Sequence, residues 1–484
     1  MTIPQRRPQV KGPLPADASS YPFSTMACAN GPVDLAAYGY AEEEYFLTGM
    51  ADTYEKDEAG AAVADDAPVH YVTRVLVRRP ITQGSSVAWL SILNASQGYD
   101  IEDDWRRAWD YIIARGDTYV GVTAKPINVD ALRNFDPDRY AELTWGGPTP
   151  GLQAEPGWNP FQTIPGSEEG LVWDILAQTA VWARSGESFP ALRRVFMMGQ
   201  SQSAVYANTY LTYFDALLTD ERGGRLFDGY LPGAGAVLCR GLKQPKEVDA
   251  AFRPELVEPA QIDAPVIVVS TEADTHLFSG LGTDNAPFMT GDGPLRRHWH
   301  VAGVPHSDAR SRVIPRDDQI VKAGRLPRSR SAEWLRSLIT IPVEPIITAA
   351  MAALLRWVED GVPAPESGYF TCEQSGNQFV CGESGLLDGG IRLGLVTHPI
   401  AELHPASLEG GVSGTMRLHD AEEVLRTYPT LETYLSACDE TDDALESEGY
   451  LEPHGHALLR RVEEELWRRC VDGIAPYDYT PQAV

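Results

Sequence analysis

The sequence predicts an α/β fold: a mostly parallel central sheet flanked by helices, with lid or cap insertions and a helical C-terminal region. Three observations predict it. First, an apolar run over 87–94, a helical pattern of Trp105, Ala108, Trp109, Ile112 and Ile113, and a second apolar run over 118–123 make a β-α-β unit. Such a unit is the signature of a parallel sheet. Second, the run 192–198 passes through the tight string Gly199-Gln200-Ser201-Gln202-Ser203 into a helical pattern. Third, 265–271 and 297–302 are short, β-like runs, each followed within a few residues by an acid or a histidine.

In order, residues 1–31 read as an extended N-terminal arm rich in proline and polar residues, and 32–410 as the core. The runs 43–48 and 71–77 are β-like and separated by polar, Gly-containing spacers, which suits an antiparallel start to the sheet. Val87 to Asn94 lacks alternation, as a strand buried on both faces does. Asp103 and Asp104 offer capping side chains to the helix that follows, and Gly116 ends it. The stretch 145–165 is dense in Gly, Pro and Trp and predicts a long surface loop, with Trp145, Trp158 and Phe161 as candidate pocket walls. A helix is expected over 171–184. After the tight string, Ala204, Ala207, Leu211, Phe214 and Leu218 mark one face of a buried helix. The charged, proline-rich stretch 219–260 and the stretch 276–296 are lid candidates. A helix over 345–358, hairpin character over 366–393 and a helical, acidic C-terminal segment over 411–484 complete the chain. The last helix aligns Leu459, Val462, Leu466 and Cys470.

Composition narrows the function. The net charge of −28 argues against nucleic acid, whose phosphates require clustered Lys and Arg. It also disfavours anionic membrane surfaces. No window approaches the ~20 apolar residues a membrane helix needs, and the N-terminal Arg6-Arg7 pair lacks a following apolar region, so a cytoplasmic protein is expected. The cysteines, Cys28, Cys239, Cys372, Cys381, Cys438 and Cys470, are expected as buried thiols; Cys372 and Cys381 flank a Gly-Asn turn and could meet as a disulfide. No C-x-x-C pair suggests zinc.

The chemistry is carried by a spacing. Gly199-Gln200-Ser201-Gln202-Ser203 has the form of a nucleophile elbow, a strand-to-helix turn so sharp that the residues two before and two after the serine must be small. An activated serine needs a general base in reach and an acid that fixes the base's tautomer. Ser201, then Asp274 or Glu272, then His306 follow in that order, each just beyond an expected strand end. Asp274, further out on its loop, is favoured as the acid; Glu272 is its rival. The backbone N–H of Gln202, at a helix N-terminus, is the expected oxyanion donor, with a second from the loop at Asn94 and Ala95. His298, His300 and His306, with His276 close by, also admit a metal reading, but the triad accounts for His306 without one, and neither metal nor cofactor is expected. Gly233-Ala234-Gly235 lacks the rest of a dinucleotide fingerprint and reads as a loop.

With these residues placed, the sequence resembles the "alpha/beta hydrolase domain" proteins of bacteria and fungi, a family of serine esterases. The resembling segments span most of the chain: 39–45, Leu93-Asn94, 115–124, 173–178, 199–203, 270–274, 301–306, 356–361 and 389–392. The resemblance implies the α/β-hydrolase fold, with Ser201, His306 and an acid from Glu272 and Asp274 as a triad. It says little about substrate. One departure is Ser203, where the hydrolase elbow usually has glycine. The expected activity is hydrolysis of a carboxylic ester or lactone, on a small molecule taken to be bulky and apolar from the aromatic and proline content nearby. Acyl transfer to another acceptor, other triad chemistry, and a catalytically silent binding protein are the alternatives.

Overall fold

The structure is a computed structural model that describes residues 2–64, 67–147, 164, 166–244, 255–256, 262–279, 293–309, 315–327, 331–373, 378–406 and 413–476. It divides into two compact units, Met1–Ala264 with Arg312–Arg328, and Pro265–Ser311 with Ser329–Val484. These boundaries differ from the expected arm, core and C-terminal segment.

The first unit is built on β1 (Gln9–Lys11), β2 (Tyr40–Ala51), β3 (Val69–Pro80), β4 (Val87–Ile92), α1 (Asp103–Arg115), β5 (Thr118–Val122), α2 (Pro126–Phe135), α3 (Val172–Ser185), β6 (Arg194–Gln200), α4 (Gln202–Tyr213) and β7 (Gly229–Gly233). Its strands lie in the order β1-β2-β3-β5-β4-β6-β7. The first three pairings are antiparallel and the last three parallel. The parallel part is the β-α-β pattern made solid: β4 is buried along its whole length, as its nearly continuous apolar run requires. The antiparallel start is as expected, and the N-terminal arm is extended and paired, with Ile3–Pro4 alongside Leu218–Thr219 and β1 against β2. Helices α1, α3 and α4 pack on β6, so the strand that feeds the tight turn lies at the centre of the unit's core.

Three expectations in this unit are corrected. Asp103 and Asp104 do not cap α1: Glu102 occupies the N-cap and no side chain caps it. Instead Asp104 turns inward to accept from the Ser91 hydroxyl at 2.6 Å, and burial pushes its carboxyl up to about 7. The 219–260 lid candidate contains β7, a buried strand paired with β6, so that part belongs to the sheet; 245–254 and 257–261 lie outside the described residues. Trp145 is fully buried with its Nε1 toward Thr73, a core residue and no pocket wall, while Trp158 and Phe161 lie outside the described residues.

The second unit contains the parallel pair β8 (Val266–Thr271) and β9 (Arg296–Val301), with α5 (Glu272–Ser279) following β8. Residues 280–292 of the second lid candidate lie outside the described residues. The long Ala- and Leu-rich helix α6 (Glu344–Asp360) packs on β8. The hairpin expected over 366–393 reduces to isolated bridges, Phe370 with Gly389, Cys372 with Phe379 and Cys381 with Leu387. That register sets Cys372 and Cys381 opposite other residues; all six cysteines are thiols, but only Cys239, Cys438 and Cys470 are buried as expected, while Cys28 and Cys372 are half-buried and Cys381 is exposed. Helices α7 (Leu431–Glu448) and α8 (Pro453–Val471) pack on each other, α8 burying Leu459, Val462, Leu466 and Cys470 as expected. Gly455 lets α8 approach α6, since a Cβ there would stand 3.0 Å from Pro345. Among the described residues, no helix is long and apolar enough to cross a membrane.

Candidate active site

In the first unit the site starts from backbone sterics. Ser201 joins β6 to α4 with φ 59° and ψ −121°, a conformation that non-glycine residues adopt only when their surroundings impose it. The turn is held by Ser201 N–H donating to Gly233 O at 2.8 Å, and its tightness is measurable at Gly199. A Cβ on Gly199 would lie 2.4 Å from the Ser203 carbonyl oxygen, so only glycine fits two residues before the serine. Ser201 is half-buried among fully buried neighbours, and α4 begins at Gln202, directing its first N–H groups toward the turn.

The loop after β4 is hydrogen-bonded to this turn. Asn94 Nδ2 donates to Gln200 O at 2.9 Å, and Ala95 N–H donates to the Gln202 side-chain Oε1 at 3.0 Å. Asn94's backbone N–H donates to Ile101 O at 3.0 Å and its Oδ1 accepts from Ser96 N–H at 2.6 Å. Its backbone is therefore committed to shaping the loop, which corrects the expectation of an oxyanion donor at Asn94. Ala95 lies beside Gln202, with its N–H occupied by that side chain.

Sequence reasoning missed one residue here. Lys125, at the N-cap of α2, is buried, and its Nζ donates to Leu93 O at 3.0 Å and to Ser203 Oγ at 3.2 Å. Burial pulls its ammonium down to about 7. A lone lysine before Pro126 gives no hint in sequence that it turns inward.

In the second unit the site is made of buried acids. Asp274 is fully buried in the first turn of α5; its Oδ2 accepts from Thr271 N–H at 2.7 Å, and its Oδ1 meets His306 Nδ1 at 2.5 Å. Glu272, the rival acid, points elsewhere. Its Oε2 accepts from Gly303 N–H at 2.8 Å and its Oε1 from Leu387 N–H at 2.9 Å, and burial raises its pKa against those hydrogen bonds. Glu272 thus pins the loop that carries His306, while Asp274 is the carboxylate that touches the imidazole. His276 is exposed, His298 Nε2 bonds the Ser270 hydroxyl at 2.9 Å, and His300 Nδ1 accepts from Phe370 N–H at 3.0 Å. Among the described residues, no three His, Cys, Asp or Glu side chains are arranged to hold a metal ion.

The sequence profile of a family described as "Alpha/beta hydrolase domain" matches residues 10–461. No curated protein matches the chain. Among solved structures, LpqC, a poly(3-hydroxybutyrate) depolymerase from Bordetella parapertussis, is similar at 11% identity, over 65% of this chain and 91% of its own, with a TM-score of 0.28. An alpha-beta serine hydrolase homologue from Coxiella burnetii is similar at 10% identity over 49% and 84%, TM-score 0.26. An esterase from Pyrobaculum calidifontis is similar at 13% identity over 52% and 76%, TM-score 0.24. At such scores the three say nothing about this chain's substrate.

Proposed function

The chain belongs to the alpha/beta hydrolase domain family, and on that premise we propose that it is a serine hydrolase cleaving a carboxylic ester or lactone. The observation that carries the reading is the backbone of Ser201, held at positive φ between a buried strand and a helix N-terminus. Strain of about 1–3 kcal/mol persists at one residue only where its surroundings over-determine it, and such residues cluster at reacting groups. The buried Asp274 carboxylate on His306 Nδ1 supplies the second half.

In the proposed reaction Ser201 Oγ attacks the substrate carbonyl and His306 Nε2 takes its proton. Asp274 keeps the Nδ1 proton in place, so that Nε2 presents its lone pair, and stabilises the imidazolium that forms. The carbonyl oxygen, now negative, takes the Gln202 N–H at the start of α4. Ala95 N–H is the second donor once the Gln202 side chain turns aside as substrate enters. The leaving alcohol departs with the proton from His306. Water activated by the same imidazole then releases the acid and restores Ser201.

The test is labelling with a fluorophosphonate, followed by turnover of p-nitrophenyl esters of increasing chain length. Wild type should label rapidly, and Ser201→Ala and His306→Ala should not. Turnover falling off at one chain length would size the pocket. Labelling of wild type no faster than of Ser201→Ala would sink the hydrolase reading and leave a binding role.

A further inference from the structure

Resting on the hydrolase reading, we propose that Lys125 is a positioning residue: its ammonium ties the Ala95 loop to the elbow helix and sets a positive charge beneath the oxyanion site, with Ser203 as its acceptor. The residue is 1% exposed. One N–H bond goes to Leu93 O, two residues before the proposed second oxyanion donor, and another to Ser203 Oγ, two residues after the proposed nucleophile. The ammonium also stands 4.4 Å from the centroid of the Tyr206 ring, one turn along α4.

No carboxylate lies within ion-pair distance of Lys125 among the described residues. The acids that bear on it, Glu169, Asp100 and Asp103, each have another partner, and Arg240 adds a second positive charge nearby. Glu169 is gripped by Arg240 through two bonds, at 2.7 and 3.0 Å, and Asp100 by Arg74, Thr123 and Asn128. Asp103 bonds Arg106 and Arg107. A buried cation with no carboxylate in contact among the described residues is costly to keep, and a neutral methylene chain would fill the same space at less cost. The charge therefore needs a use, and negative charge developing at the N-terminus of α4 gives it one. The arrangement also explains Ser203. Glycine suffices for the steric demand of the elbow, but only a hydroxyl there can accept from the ammonium.

Because burial pulls Lys125 down to about 7, its charge is lost as pH rises past neutrality, while a neutral amine still donates both hydrogen bonds. The pH profile thus separates charge from scaffolding. The experiment is kcat and KM for p-nitrophenyl acetate from weakly acidic to alkaline pH in wild type, Ser201→Ala, Lys125→Met and Ser203→Gly. Wild-type kcat should fall on the alkaline side. Lys125→Met should lower kcat about ten-fold or more at neutral pH, a fraction of what losing a direct oxyanion donor costs, with KM little changed and the alkaline fall gone. Ser203→Gly should move that fall to lower pH, because the ammonium loses an acceptor. An inactive Ser201→Ala beside a Lys125→Met variant with wild-type kcat and an unaltered alkaline limb overturns the proposal and leaves the hydrolase reading standing. A Ser201→Ala variant with wild-type turnover defeats that reading itself. Should Lys125→Met fail to fold, Ser203→Gly decides: an alkaline limb that does not move overturns the role.

Discussion

The two compact units bury carboxylates in opposite ways. In the first, the acids around β2 and β3 are met by guanidinium groups: Arg74 donates to Glu44 at 2.7 Å and Asp100 at 3.2 Å, and Arg78 donates to Glu42 at 2.8 Å and Glu102 at 2.5 Å, with both arginines wholly buried. In the second unit, Glu272 is held by two backbone N–H groups, Asp274 by a backbone N–H and an imidazole, and Asp442 sits beside another carboxyl, Glu463. Asp174 and Asp104 in the first unit are exceptions, Asp174 met by Tyr54 and a backbone N–H and Asp104 by the Ser91 hydroxyl. The contrast separates acids that fix a sheet from acids that hold a loop, an imidazole or a shared proton. A guanidinium never gives up its proton, so the Arg74 and Arg78 networks are static. An imidazole exchanges its proton while the carboxylate facing it stays charged and holds the ring in place, and two facing carboxyls share one proton.

The sharpest way to break the contrast is Asp274→Asn, which keeps shape and presents an amide to His306. The imidazole is then held in the wrong tautomer, and kcat should fall about 10⁴-fold while the melting temperature hardly moves. In Glu272→Gln the effects should reverse. One backbone N–H, of Gly303 or Leu387, would face an amide NH₂, with a cost of about 1–3 kcal/mol in stability and only a modest loss of turnover. Ester kinetics and thermal melts on both variants check this. Equal losses of turnover would mean that the two carboxylates are not divided between chemistry and loop-holding.

Next in size is Arg74→Met. It removes the guanidinium from Glu44 and Asp100 at once, and breaking a buried pair from one side costs about 3–5 kcal/mol. Urea unfolding should register that cost. Partial relief is expected from Glu44, which keeps Arg139 at 2.6 Å and the Tyr140 hydroxyl at 2.8 Å. A variant as stable as wild type would show that the first unit's ion pairs merely break even against a well-packed apolar side chain.

What sequence disclosed follows the same division. The strands and the elbow were legible because periodicity and small-residue spacing are local steric demands: Gly199 is required by a carbonyl only four residues away in the chain. The order of serine, acid and histidine was legible as pattern, and Asp274 rather than Glu272 was favoured on loop position. Partners chosen in three dimensions were not legible. Asn94 gives its backbone to Ile101, and Asp104 turns to Ser91 instead of capping its helix. β7, Gly-Tyr-Leu-Pro-Gly, was taken for lid because its glycines and proline hide a strand that only the pairing with β6 reveals. Lys125 carries no sequence signal at all, since burial of a lysine is decided by what surrounds it.

The effect that is smallest in acid and grows with pH concerns Glu463 between α7 and α8. It is wholly buried, and burial together with the facing Asp442 pushes its carboxyl up to about 9, whereas in the unfolded chain it ionises near 4.5. Gly394 N–H donates to Asp442 Oδ1 at 2.8 Å, which favours Asp442 as the ionised member and Glu463 as the one that holds the proton. Between those two pKa values the folded state binds a proton that the unfolded state has released. Stability contributed by this site is therefore fully present below about 4.5 and declines as pH rises toward about 9, with a ceiling of about 1.4 kcal/mol per pH unit for one proton. Glu463→Gln has no proton to lose and nearly the same shape. Its melting temperature should match wild type below about pH 4.5 and exceed it increasingly as pH rises toward about 9. Melting curves that run parallel across that range would mean that Glu463 is ionised in the folded protein and that the second unit, like the first, holds its buried acids as fixed charges.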